Sequence, residues 1–227
     1  MNFLVRKIHK YLSFFISLQL LLWTISGIYF AFNKIELVRG EQYLNLKETS
    51  FDLSKLGFEI EKAEEVEFKK RLGQEIVIIK TKGTTRYLDM LGEPVTKIST
   101  KDAMDSVSSQ TTLLPFAAEE VTNKKSGSEY RGRSLPIYKV KSKNSKRAEV
   151  NVYINVYSGE ILAIRSNKWK IWDLMWGFHI MDWKERDNID NLLLKIFSIL
   201  ALVSSVTGIM LFFKIDFKDA PSSTRQQ

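Results

Sequence analysis

The chain has two histidines, His9 and His179, and no cysteine. Imidazole can carry a proton, make hydrogen bonds or ligate a metal. Two imidazoles without thiols fall short of the side chains that a self-contained transition-metal site takes. They do suffice for axial ligation of a b-type haem, which in a helix bundle draws one histidine from each of two helices. The lack of cysteine excludes disulfides, thiol catalysis, iron–sulfur ligation and covalent haem attachment. No H-E-x-x-H, G-x-S-x-G or Gly-rich phosphate loop is present, so a self-contained enzyme is not expected.

His179 sits in WKIWDLMWGFHIMDW, Trp169 to Trp183, which holds four of the five tryptophans. Trp172, Trp176, His179 and Trp183 follow at steps of four, three and four. That spacing predicts one stripe on one helix face. Indole has an apolar body and a polar N–H, which suits a membrane–water interface. Trp169, Trp172, Trp176 and Trp183 are therefore expected to form an interfacial collar. The bland alternative for His179 is a hydrogen bond to Asp182. For His9 it is membership of the basic cluster Arg6-Lys7-His9-Lys10. The mixed-charge run from Asp182 to Asp190 reads as a solvated turn.

The elements that must position these residues follow from hydropathy. The mildly negative mean hydropathy of −0.14 hides two apolar spans around a charged middle. Leu12 to Phe32 is long enough to cross a bilayer and lacks a small-x-small cleavage site after it, so an uncleaved helix is expected. Leu192 to Phe213 is the second span, with Lys195 placed to snorkel. His9, Ser13, Ser17, Thr24 and Gly27 lie near one stripe of the first span. Ser198, Ser205 and Gly208 do so on the second. Gln19 is a polar group expected to turn inward. The spans also resemble each other: W-T-I-S-G-I-Y-F contains Ser26-Gly27, and S-V-T-G-I-M-L-F-F contains Thr207-Gly208. Such hydroxyl–glycine pairs are expected to pack helices closely, within one chain or between chains.

The formal charge of +8 gathers at the tails: Arg6, Lys7 and Lys10, then Lys214, Lys218 and Arg225. No nucleic-acid motif accompanies it, so no nucleic-acid partner is expected and the charge is read as topology, with both termini cytoplasmic. The expected layout is a basic stub and first span over 1–33, an extracytoplasmic domain over 34–168, an interfacial helix over 169–190, a second span over 191–214 and a cytoplasmic tail over 215–227.

The middle is expected to be α+β, as helix then hairpin, twice. Leu53 to Phe68 is helix-like. Glu75 to Lys80 and Thr85 to Met90 are strand-like around Lys-Gly-Thr, a hairpin signal. Thr100 is the expected N-cap of a helix from Lys101 to Gln110. Leu135 to Lys141, Val150 to Tyr157 and Glu160 to Arg165 read as strands, with Val152, Ile154 and Val156 on one face and Tyr153, Asn155 and Tyr157 on the other.

The run V-N-V-Y-I-N-V-Y-S-G-E-I-L-A-I-R after P-I-Y-K-V resembles the PepSY domain, whose hallmark step "(D/N)xxxGE" is filled here by Asn155, Ser158, Gly159 and Glu160. With R-K-I-H-K-Y-L and the two Ser/Thr-Gly spans, nearly the whole chain resembles PepSY-associated transmembrane proteins. The resemblance implies a bacterial inner-membrane protein with an extracytoplasmic PepSY-like module between two transmembrane helices. Larger relatives carry four helices, and some are linked to ferric-siderophore reduction with histidines that could bind haem b. Two helices here imply a homodimer or another membrane subunit, besides lipid, as partners.

His9 and His179 fall at opposite membrane faces, separated by about 30 Å, so one chain cannot bring both to one iron. In a symmetric dimer each could pair with its mate, stacking two haems across the membrane. The chain is thus expected to be an electron-transfer or reductase-accessory subunit. The alternative is a non-enzymatic, membrane-tethered binding or regulatory module acting on an extracytoplasmic peptidase or other partner.

Overall fold

The computed structural model describes residues 2–45 and 50–216. They fall into two compact units: residues 33–172, and residues up to 32 together with those from 173 onward.

The second of these is helical. Helix α1 (Asn2–Phe32) and helix α5 (Leu192–Asp216) contain windows long and apolar enough to cross a membrane. Helix α4 (Asn167–His179) runs across the boundary between the units. α1 and α5 lie antiparallel, since Ser13 meets Ser204 while His9 meets Thr207. The buried face of α1 carries Ile16, Gln19 and Ser26. Ser17 and Thr24 are not on it: they are exposed and turn back onto the carbonyls of Phe14 and Leu20. Beyond α4 the chain turns rather than continuing as a helix to Trp183. Asp182 accepts backbone N–H bonds from Glu185, Asp187 and Asn188. Arg186 pairs with Asp173 at 2.8 Å, and Asp173 is 1% exposed. Asn191 then caps α5 by accepting from the Leu194 N–H, and Lys195 pairs with Asp190. The expected tail from residue 217 onward, with Lys218 and Arg225, lies outside the described residues.

The 33–172 unit is α+β, with two antiparallel sheets. It opens with the short helix α2 (Ile35–Arg39). Strands β1 (Glu65–Arg71), β2 (Gln74–Thr81) and β3 (Thr84–Asp89) form a meander. Its first turn pairs Arg71 with Gln74, and both intervening residues, Leu72 and Gly73, have positive φ, as a tight hairpin turn matched to strand twist requires. The expected helix over Leu53–Phe68 is absent. A short 3-10 turn at Leu53–Lys55 gives way to extended chain, and Leu56, Phe58 and Ile60 pack on Val77, Ile79 and Leu88. Their spacing of two is a strand-like alternation that covers the sheet face.

The second sheet runs β4 (Leu114–Val121), β5 (Ile137–Lys143), β6 (Glu149–Asn155), β7 (Ile161–Arg165) in that order. Helix α3 (Thr100–Gln110) lies on it. Ala103 and Val107 of α3 join Val140, Val152, Ile154 and Val156 in the main core. The expected alternation of β6 holds, but the opposite face is covered too, because Tyr153 is buried with Ile137 and Ala163. The N-cap of α3 is Ser99, not Thr100: the Ser99 hydroxyl accepts from the Asp102 N–H while the Asp102 side chain accepts from the Ser99 N–H, a reciprocal capping box.

Candidate functional site

Both histidines are seated in the helical unit, His9 against Thr207 and Gly208 of α5 and His179 against Ser26 of α1. His9 on α1 lies 3.0 Å from Thr207 Oγ1 of α5. The Thr207 hydroxyl is directed at the carbonyls of Val203 and Ser204, each 2.9 Å away. Its one proton is thereby used, so Thr207 accepts and His9 Nδ1–H donates. The His9 ring lies over Gly208, where an added Cβ would stand 3.1 Å from Cε1 and 3.7 Å from Nε2. Nε2 is also 3.4 Å from Ser13 Oγ, which in turn is 2.8 Å from Ser204 Oγ.

His179, at the end of α4, mirrors this on α1. Its Nδ1 lies 2.7 Å from Ser26 Oγ. The Ser26 hydroxyl is directed at the carbonyl of Leu22 at 2.7 Å, so it too accepts from the ring. Trp23 Nε1–H donates to the His179 carbonyl at 2.6 Å, and Gln19 donates to that of Phe178 at 3.2 Å. Trp176 stacks on the imidazole and Phe30 meets it edge-on. Burial lowers the His179 pKa and keeps the ring neutral. Its Nε2 has no hydrogen-bond partner among the described residues. The bond to Asp182 is not made, because that carboxylate is taken by the turn's N–H groups.

The two seats grip α1 at residue 9 and at residues 23–30. Position 9 and position 26 are roughly 25 Å apart along the helix. A b-type haem with two axial histidines therefore does not fit one copy of the chain. Its other requirement, an open Nε2 on a ring whose Nδ1 is fixed by a hydrogen bond, is met by His179 and not by His9, whose Nε2 faces Ser13 and the Gly208 backbone.

Of the expected packing residues, Ser26, Thr207 and Gly208 are used between helices. Gly27 is not: the place of its Cβ has nothing within 4 Å. Sequence reading passes over Trp23 and Ser204, which make interhelical bonds, in favour of Ser205, which bonds only its own helix.

The four expected interfacial indoles separate. Trp183 is off the helix and 56% exposed. Trp176 serves the His179 seat. Trp169 is 8% exposed within the 33–172 unit, with the guanidinium of Arg165 at 4.3 Å and that of Arg131 at 5.5 Å from its ring. Trp172 lines the same region. Trp169 is thus a packed residue rather than an anchor, because cation–π partners occupy its face.

The 155–160 step forms a joint inside the 33–172 unit. Asn155 Oδ1 accepts from the N–H of Tyr157 and Ser158, and its amide donates to Tyr87 of β3 at 2.9 Å. Tyr87 stacks on Tyr157 at 4.9 Å. Gly159 has φ +67, and a Cβ there would stand 2.8 Å from Ser106 Oγ of α3. Its carbonyl accepts from Gln110. Glu160 pairs with Lys69 of β1 at 2.8 Å, joining the two sheets. Each residue of the step has a structural task. Among the described residues no group of three or more His, Asp or Glu could hold a metal ion. Comparison with protein families, with curated proteins and with solved structures finds no match.

Proposed function

We propose that this chain is an integral membrane protein in which two helical spans tether a PepSY-like α+β module to the outer side of a bacterial inner membrane, where it acts as a non-enzymatic binding or regulatory module. The carrying observation is reciprocity. Each imidazole is committed to a hydroxyl of the opposite side of the helical unit, His9 to Thr207 and His179 to Ser26, which is what fixing an anchor requires. The spans themselves suit lipid, since only 17% and 6% of their apolar windows are buried. A core helix of a water-soluble fold would be mostly covered, and water would not tolerate so much exposed apolar surface. The basic residues at the start of α1 support a cytoplasmic N-terminus.

A cysteine-free chain makes the test direct. Single cysteines at Lys124 and Lys7 are probed in intact bacterial cells with a membrane-impermeant maleimide. Labelling of Lys124→Cys in intact cells, and of Lys7→Cys only after lysis, supports the topology; the reverse pattern overturns it. Crosslinking through residues 33–172 then recovers the partner.

A second reading, a redox accessory in iron handling, is favoured by the open His179 Nε2. In it a haem b would be held by His179 from each of two copies, and the group would supply one-electron transfer. Oxidised and dithionite-reduced absorption spectra of protein from haem-replete cells decide it. A Soret band lost in His179→Ala supports this reading, and a flat visible spectrum removes it.

A further inference from the structure

The 33–172 unit carries a half-open pocket of about 400 Å³, within the size range of small-ligand sites. Arg39 from α2, Arg133 from the segment before β5 and Arg165 from β7 line it, together with Val38, Trp169 and Trp172. Three arginines from separate parts of the chain thus border one space.

None of the three makes an ion pair among the described residues. Arg165 donates to two neutral carbonyls, those of Glu129 and Ile164. The side chains of Arg39 and Arg133 have no ion pair or hydrogen bond among the described residues. The carboxylate that acts on Arg165 is Glu129. It is already used by Asn151 at 2.7 Å and Tyr153 at 3.0 Å, with Lys170 at 3.6 Å. Burial first, then repulsion from Arg133 and Arg131, pushes the Arg165 pKa down to about 10. Arg165, largely buried and without an ion pair among the described residues, together with Arg39 and Arg133 on the same pocket, makes a site suited to an anion from outside.

We propose that this pocket binds a phosphate-type oxyanion, with Arg39, Arg133 and Arg165 as its ligands and Trp172 against an apolar substituent. Guanidinium forks match the geometry of phosphate oxygens, and the half-buried indole of Trp172 suits a phosphoester rather than a bare ion. Two sources share this chemistry. One is a soluble phosphate compound. The other is a phospholipid headgroup, since Ile35 follows by only three residues Phe32, the end of an apolar span. The site uses neither histidine and stands apart from the tether and redox readings.

The test uses the full chain in a neutral detergent at constant ionic strength, set with chloride. Inorganic phosphate and short-chain phosphatidic acid are titrated, with short-chain phosphatidylcholine as the control that masks its phosphate with choline. Thermal melting and tryptophan fluorescence report binding. Saturable stabilisation is expected, weakened at least about tenfold in Arg39→Gln/Arg133→Gln. Both side chains are exposed, so this variant keeps its melting temperature; Arg39→Lys/Arg133→Lys, which retains charge but loses the fork, binds at an intermediate level. Response to both ligands assigns a soluble phosphate compound, and response to phosphatidic acid alone assigns the headgroup. Response to neither, or equal binding by the glutamine variant, overturns the site.

Discussion

His9 on α1 donates from Nδ1 to Thr207 Oγ1 on α5 at 3.0 Å, across 198 residues of sequence. The reverse relation joins His179, near the start of the second span, to Ser26 of the first. Two antiparallel helices with similar S/T-G segments thus each receive a histidine on their hydroxyl. The His9–Thr207 bond, with Ser13 against Ser204, fixes register and rotation of α1 against α5, and the His179–Ser26 bond fixes the end of α4 on α1; apolar packing against lipid-like surfaces cannot do this alone.

Thr207→Val keeps the side-chain volume and removes the acceptor. It is expected to lower the stability of the helical unit by about 1 kcal/mol, the usual scale of an interhelical hydrogen bond in a membrane. His9→Ala, Thr207→Val and the double variant form a cycle whose coupling should be of the same size. Denaturation in mixed micelles measures it, and zero coupling would show that the pair contributes nothing beyond packing.

His179 gives a pH signature. Burial holds its folded pKa below the ordinary 6.5. The unfolded chain therefore takes up a proton near pH 6.5 while the folded chain stays neutral, so the unfolded state binds more protons. Stability is full above about pH 6.5, declines as pH falls below it, and levels off once pH passes the folded pKa. Melting of the detergent-solubilised chain between about pH 7.5 and 5 should show this decline. His179→Gln should flatten it in that window, which lies above the ordinary carboxylate range.

Ser26 and Thr207 were legible as packing residues but not as the partners of the histidines, because an apolar helix has no polar face to mark which side is buried. Small-residue spacing singles out Ser17, Thr24, Gly27 and Ser205, which point away, together with Ser13, Ser26, Thr207 and Gly208, which meet a neighbouring helix, and it passes over Ile16 and Ser204 on the buried side. In the α+β unit, alternation and turn chemistry were enough for β2, β3, β5, β6 and β7. They failed for β1, whose seven residues EVEFKKR hold only two apolar side chains. They failed again for β4, where Pro115 stands at a register shift and reads against a strand. Leu53, Leu56 and Ile60 mimic a helical period, yet the pattern that governs is Leu56, Phe58, Ile60 on the sheet. The tryptophan stripe was misread past His179 because four-three-four spacing says nothing about the Asp182 turn that ends it.

Capping distinguishes two neighbouring residues. Ser99 makes both halves of the box with Asp102, and Thr100 is the first residue of α3. Ser99→Ala should cost about 1 kcal/mol and Thr100→Ala a few tenths at most. Chemical denaturation of the full chain, followed by amide exchange in α3, separates the two. Equal effects would return the cap to Thr100.

The joint at residues 155–160 makes the sharpest steric prediction. Gly159 has φ +67, and its absent Cβ would stand 2.8 Å from Ser106 Oγ but 3.6 Å from Ser106 Cβ. Gly159→Ala therefore meets two costs, a left-handed conformation worth about 1 kcal/mol and an overlap with α3 of similar size. Ser106→Ala removes the overlapping oxygen and leaves ordinary contact, so the double variant should regain the steric half and keep the conformational one. Gly83→Ala separates the two costs independently: its φ is +78 and nothing lies within 4 Å of the added carbon, so it should show the conformational cost alone. If Ser106→Ala restores nothing to Gly159→Ala, the step does not press on α3, and the residues Asn155 to Glu160 must be held in place by the sheet-to-sheet links of Tyr87 and Lys69 instead.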